Sequence, residues 1–302
     1  MLKGFCGILP TYENIETAVS QINKKHKSIN VIKIGQSVLG RNINALCIGH
    51  PIGSVLYVGA THGLEWLTAA LLIRFCENAA ESFENGSRLA DINTARVLRK
   101  RGITIVPCLN PDGVEIALNG SDTAGKYKHL VDDICADRPC SEIWQANTRG
   151  VDINHNFNAG WDILHKLEAE NGITAPAATR YGGPHPHSEP ETIAIAGFCV
   201  RFRPHSLYAI HSQGEEIYYK YGKNTPAKSK ASAQILSLSG GYSLAEASGL
   251  SVHGGLKDWF IEKTGKQGFT IEVGKGKNPL PLSSLDDIYN KTEEMLMIAA
   301  LL

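Results

Sequence analysis

The spacing of apolar positions changes several times along the chain. Tyr12, Ile15, Val19 and Ile22 recur at three- and four-residue steps, which predicts an amphipathic helix over residues 11–26. Asn30–Ile34 and Asn42–Ile48 read as strands joined across a glycine-containing turn. Ser54–Ala60 (SVLYVGA) is a short apolar strand, followed by a helix from about Leu64 to Ala80. Ile103–Leu109 predicts a strand, Glu189–Arg203 a helix, and Leu207–His211 and Glu216–Tyr221 two further strands. Residues 228–248 read as largely helical, with Gly240-Gly241 as a point of interruption. Phe269–Val273 is a strand and Leu285–Leu302 a closing helix. Strands alternating with helices predict an α/β fold, a mostly parallel sheet covered on both faces. Residues 110–188 show little periodicity, and so long an irregular segment in a compact domain is usually functional. In open α/β sheets the ligand lies beyond the carboxyl ends of the strands.

The length of 302 residues suits one large α/β domain or two small ones, and no repeat or linker-like tract divides it. Hydrophobic residues make up 43% and charged residues 20%, an ordinary globular composition that argues against disorder. Lys+Arg and Asp+Glu are both 30, so the balance has no electrostatic footprint for nucleic acid or an anionic membrane surface. The opening MLKGFCGILPTYENIE lacks the features of a signal peptide. The longest apolar run, Leu64–Phe75, is broken by Glu65 and Arg74 and falls short of a membrane span. A soluble, cytoplasmic protein is therefore expected. Most of the seven cysteines sit in apolar segments, as reduced buried thiols do. Cys135 and Cys140 lie in a polar loop and could pair if oxidised, but no export signal supports an oxidised state. No CxxC pair of the zinc-binding type is present.

Chemically loaded residues stand at strand ends. His62 and Glu65 follow the SVLYVGA strand in GATHGLEW, His211 closes SLYAIH, and Glu272 lies inside FTIEVG. Two imidazoles and a carboxylate make a zinc site with an open fourth position, where water can bind and ionise near neutral pH. The three-residue step from His62 to Glu65 fits a strand-to-helix turn that aims both side chains at one ion. An H-x-x-E pair alone is weak, and a lone strand-end His is commonly structural. A carboxylate within an apolar strand is costly unless paired, so Glu272 suggests a purpose, and near the water it suits a general base.

The order of motifs is more specific. GATHGLEW, LNPDG (109–113), RGVDINHNFNAGW (149–161), HSEPET (187–192), AIHSQGEEIY (209–218), GGLKDW (254–259) and FTIEVG (269–274) follow one another. This series resembles the zinc carboxypeptidase family over roughly residues 50–280. The resemblance implies a single domain spanning residues 1–302, with an eight-stranded mixed, mostly parallel sheet and helices on both faces. It implies one catalytic zinc held by His62, Glu65 and His211, with Glu272 as general base. Asp152 matches the family's acidic partner of the first ligand His, and Arg149 is the candidate for its oxyanion-stabilising arginine.

The departures from the family pattern point to the substrate. Members that bind a free C-terminal carboxylate carry Asn-Arg where this chain has Asn154-His155. Arg grips a carboxylate bidentately, whereas His gives at most one charge-assisted bond. The family tyrosine is missing: counting back from GGLKDW reaches Leu250, with Tyr242 a substitute only if the loop differs. Lys257 stands at the position the family places on the floor of the pocket for the residue after the scissile bond, and an ammonium there favours a carboxylate-bearing side chain. With His155, this resembles the bacterial γ-D-glutamyl-meso-diaminopimelate peptidase branch, as do HSQGEEIYY and FTIEVGKGKNPLP. The second carboxylate and amine of diaminopimelate suit Lys257 with a nearby acid such as Glu215 or Glu216. The expected function is hydrolysis of the γ-D-Glu–diaminopimelate bond in peptidoglycan-derived peptides, with Asn154, His155 and Lys257 around the diaminopimelate portion. An ordinary carboxypeptidase of α-linked peptides, a wall-peptide-binding protein without turnover and a zinc deacylase are the competing readings.

Overall fold

The computed structural model describes residues 7–302. Eight strands form one sheet: β1 (Ile29–Gln36), β2 (Asn42–Ile48), β3 (Val55–Val58), β4 (Ile103–Val106), β5 (Ser206–His211), β6 (Glu216–Tyr218), β7 (Ser243–Leu244) and β8 (Gln267–Glu272). Their spatial order is β1-β2-β4-β3-β5-β8-β6-β7. The central run β4-β3-β5-β8 is parallel, while β2 against β4 and β6 against β8 are antiparallel. The mixed, mostly parallel sheet of the sequence reading is thus the observed one. Every residue of β3, β4 and β5 is buried, as strands covered on both faces require.

Among the described residues eight helices run nine residues or more: α1 (Tyr12–Lys25), α2 (Leu67–Asn85), α3 (Pro111–Asn119), α4 (Trp161–Glu170), α5 (Pro190–Phe202), α6 (Ser229–Gly240), α7 (Leu256–Thr264) and α8 (Leu285–Ala299). α1 forms where its apolar stripe predicts. Thr11 caps it by accepting the Asn14 N–H, Lys24 and Lys25 sit in its last turn, and Ile15, Ala18, Val19 and Ile22 are buried. Helices α1, α2, α6 and α8 cover one face of the sheet around Tyr57, Tyr208 and Phe269. Helices α5 and α7 cover the other around Leu56, Val58, Leu207 and Ala209.

Three segments differ from the sequence reading. The helix expected from Leu64 starts at Leu67, because Gly63–Glu65 form a 3₁₀ turn first. Gly63 is needed there: a Cβ would lie 2.4 Å from the Gly113 carbonyl oxygen and 2.6 Å from that of Trp144. Residues 110–188 contain helices α3 and α4 and several shorter turns. Asn110 caps α3 by accepting the Gly113 N–H, and Pro111 opens it. Much of this segment packs on its own small core of Ile116, Ala124, Val131, Trp144 and Ala146, so its apolar pattern does not follow the sheet. Cys135 and Cys140 are joined there by a disulfide, and Cys47, Cys76, Cys108 and Cys199 are free and buried. The helix expected over 228–248 stops at Gly240, because Gly241 takes a left-handed turn (φ 70°) and the chain then enters β7.

Strands β3, β5 and β8 lie side by side and parallel, so their carboxyl ends open onto one edge of the sheet. The rings of Tyr57 and Tyr208 stack at 5.5 Å and those of Tyr208 and Phe269 at 4.9 Å, which ties these strands together beneath that edge. Phe269→Ala is expected to destabilise the protein by about 3–5 kcal/mol, read as a lower denaturant midpoint with an unchanged slope.

Candidate active site

His62 follows β3, His211 ends β5 and Glu272 ends β8, paired in register with His211. The 3₁₀ turn after His62 brings Glu65 back between the two rings. Its Oε1 lies 2.8 Å from His62 Nδ1 and its Oε2 2.8 Å from His211 Nδ1. One donor atom from each of the three residues lies within 4.8 Å of the others. The opposite edge of His62 faces Asp152, whose Oδ1 is 3.3 Å from Nε2. Asp152 is buried and also accepts the N–H groups of Asn154 at 3.0 Å and Arg180 at 2.8 Å. Burial opposes its ionisation, but His62, His155 and the Arg180 N–H hold its carboxyl far below the usual range.

That arrangement tests whether the residues fit a cation. Asp152 faces Nε2 and favours a proton there, which in the neutral ring turns the Nδ1 lone pair toward a carboxylate oxygen. Two lone pairs at that separation repel unless positive charge lies between them. Burial alone would depress the His62 pKa, yet Glu65 and Asp152 outweigh it and raise it well above the ordinary value. Two imidazole nitrogens and a carboxylate oxygen are a donor set that fits zinc. Glu272 stands beside them with no hydrogen-bond or ion-pair partner among the described residues. Burial first, and the Glu65 carboxylate next, raise its pKa well above the ordinary range.

These groups line a cleft of about 230 Å³ together with Asn154, His155 and Lys257. Asn154 accepts the Leu256 N–H, which fixes it at the start of α7. His155 is held by the buried Glu168, with Nδ1 2.8 Å from Oε1. Lys257 is 7% exposed; its ammonium donates to the Lys220 carbonyl at 2.9 Å and pairs with Asp258. The acid beside Lys257 is therefore Asp258, and neither Glu215 nor Glu216. Glu215 is taken by Lys275 and Lys291, and Glu216 accepts the Tyr218 hydroxyl.

Arg149, expected as the oxyanion donor, is not among the residues lining the cleft. Asn147 Oδ1 accepts the N–H groups of both Arg149 and Val151 around Gly150 (φ 69°). That turn sends the guanidinium toward the Tyr127 hydroxyl at 3.4 Å and Glu189 at 3.5 Å, while Asp152 continues into the cleft. Tyr242 is buried and does not line the cleft either, whereas Leu250 does. The phenol present is Tyr218, opposite Thr270 on the neighbouring strand and thus on the same face as Glu272. Period-two alternation from Glu216 would have found it. Gln145, Thr179 and Arg180 also line the cleft, from the segment with no readable periodicity.

A parallel sheet edge carrying this donor set beside an unpaired glutamate defines a zinc hydrolase. The zinc carboxypeptidase model matches residues 15–295, and the chain belongs to that family. It is 32% identical over 284 residues to the YqgT protein of Bacillus subtilis, covering 93% of this chain and 74% of that one. It is 28% identical over 280 residues to γ-D-glutamyl-L-diamino acid endopeptidase 1 of Lysinibacillus sphaericus, covering 93% and 69%. Carboxypeptidase A from Helicoverpa armigera superposes with a TM-score of 0.74 at 18% identity, over 96% of this chain and 72% of that one. No helix among the described residues is long and apolar enough to cross a membrane.

Zinc and a proton compete for His62 Nδ1. Because the His62 pKa is raised without the cation, competition begins above the usual histidine range. Zinc affinity is expected to fall about tenfold per pH unit on the acid side of that pKa, measured by titration against a chromophoric chelator.

Proposed function

We propose that this zinc hydrolase cleaves the amide between γ-D-glutamate and meso-diaminopimelate in peptidoglycan-derived peptides. The observation that carries the reading is the buried Lys257–Asp258 pair in the cleft wall. Lys257 spends two of its three donors on Lys220 and Asp258, leaving one for a ligand. Ammonium and carboxylate side by side suit a side chain that itself ends in an amino acid group, as that of diaminopimelate does. The name of the Lysinibacillus relative supports a γ-D-glutamyl substrate. His155 in place of an arginine speaks against tight capture of an ordinary C-terminal carboxylate.

His62, Glu65 and His211 would hold the zinc. When bound, the cation supplies the positive charge that polarises the scissile carbonyl and acidifies water. Asp152 keeps the His62 proton on Nε2 and so keeps Nδ1 available as a donor. Glu272 takes the proton of the attacking water and returns it to the leaving nitrogen of diaminopimelate. Asn154, His155 and the Lys257–Asp258 pair hold the diaminopimelate portion.

A defined muropeptide incubated with the zinc-loaded protein should give diaminopimelate-containing and γ-D-Glu-terminated products by mass spectrometry, and none with a chelator present. Exclusive cleavage of α-linked peptides would replace this reading with that of an ordinary carboxypeptidase. Glu272→Gln should lower kcat by about 10²–10⁴-fold with zinc content unchanged; full turnover without the carboxylate would remove it as the base. Lys257→Ala should raise KM for diaminopimelate peptides by about 10–100-fold and much less for lysine analogues, which lack the second carboxylate. Equal effects on both would reject that contact.

A further inference from the structure

The cleft carries a second cationic group that the reaction above does not use. Arg180 lines it, and among the described residues its guanidinium makes no ion pair and no hydrogen bond. Its backbone, by contrast, is firmly held. The Arg180 N–H donates to Asp152 Oδ2 at 2.8 Å, and the next residue's carbonyl, that of Tyr181, accepts the Asp152 N–H at 2.8 Å. On the other side, the Thr179 hydroxyl donates to Gln145 Oε1 at 2.7 Å. Arg180 itself takes a left-handed backbone (φ 67°), a conformation unfavourable for a side chain of this kind. The corner is thus tied on both sides to Asp152, the residue that orients His62, through its carboxylate at Thr179 (3.4 Å) and Arg180 and through its backbone at Tyr181.

The position of Arg180 sets it apart from Lys257. A second chamber of about 380 Å³ adjoins the cleft and shares Tyr218, His253, Lys257 and Asp258 with it, but not Gln145, Thr179 or Arg180. Lys257 therefore lies where the cleft meets this chamber, and Arg180 lies in the part of the cleft away from that junction. Of the carboxylates lining the cleft, Asp152 is engaged with His62 and Asp258 with Lys257, and the unpaired Glu272 has no ion pair with Arg180 and is kept for the proton transfer. An unpaired guanidinium fork fits a planar carboxylate through two parallel hydrogen bonds.

We propose that Arg180 is a specificity-determining residue that binds the free α-carboxylate of the γ-glutamyl residue. The inference rests on the γ-glutamyl reading above and deepens it. A γ-amide differs from an α-amide in leaving that carboxylate unblocked on the residue that supplies the scissile carbonyl. Lys257 and Asp258 address the leaving side, and Arg180 addresses the acyl side.

The test compares two γ-D-glutamyl-diaminopimelate peptides, one with the glutamyl α-carboxylate and one with its uncharged α-carboxamide. The zinc-loaded wild type should prefer the carboxylate. Arg180→Ala should lower kcat/KM for the carboxylate peptide by about 10–100-fold and leave the carboxamide peptide unchanged, so the preference vanishes. Arg180→Lys should restore part of it. A loss of equal size on both peptides would overturn the proposal, because Arg180 would then act on the shared carbonyl or on the fold. A preference that survives Arg180→Ala would overturn it as well. If the wild type cleaves α-linked peptides and neither γ-linked one, the γ-glutamyl reading itself fails and takes this proposal with it.

Discussion

A buried carboxylate wedged between two imidazoles is the constraint around which this molecule is arranged. Glu65 reaches His62 and His211 at 2.8 Å each, yet the two rings come from strand ends 149 residues apart in the chain. Removing that charge from water is costly unless positive charge compensates it. The zinc of this family supplies that charge, and the parallel run β3-β5-β8 brings the ligands to one edge. Side-by-side strands also place Glu272 next to His211 without any loop having to be ordered for the purpose.

Around that centre the walls are built from less regular chain. Asp152 serves three ends at once: it orients His62, accepts the Asn154 N–H, and ties down the Thr179–Arg180 corner. A single carboxylate thereby links the metal donors to two separate segments of the cleft lining. Asn110 does comparable work on the scaffold, its amide donating to the carbonyls of Thr61 and Ala146 and so joining the loop of His62 to the segment of Gln145. The disulfide between Cys135 and Cys140 and the core under Trp144 give that segment its own support. Binding groups on irregular chain hold their positions here through buried hydrogen bonds.

The central strands were legible because each is a short apolar run bounded by turn signals, and burial on both faces leaves that mark. The strand-end residues His62, Glu65, His211 and Glu272 were legible for the same reason, since polar groups stand out against such runs. Motif order then tied them to a family, and the family model matches nearly the whole chain. Helices α3 and α4 were not legible, because their apolar residues face local clusters and neighbouring loops instead of a continuous sheet face.

What the sequence determined by itself was the sheet, the donor types and their places at strand ends, because period and burial are properties of neighbours along the chain. What only the tertiary structure decided was which charges meet. Lys257 pairs with Asp258 and not with Glu215 or Glu216, Arg149 turns away toward Glu189, and Arg180 lines the cleft. Such pairings depend on turns at Gly150 and Arg180 and on the partners that other segments offer. The electrostatic energy of a charge depends on distance through space, and residue spacing along the chain does not encode that distance across a loop.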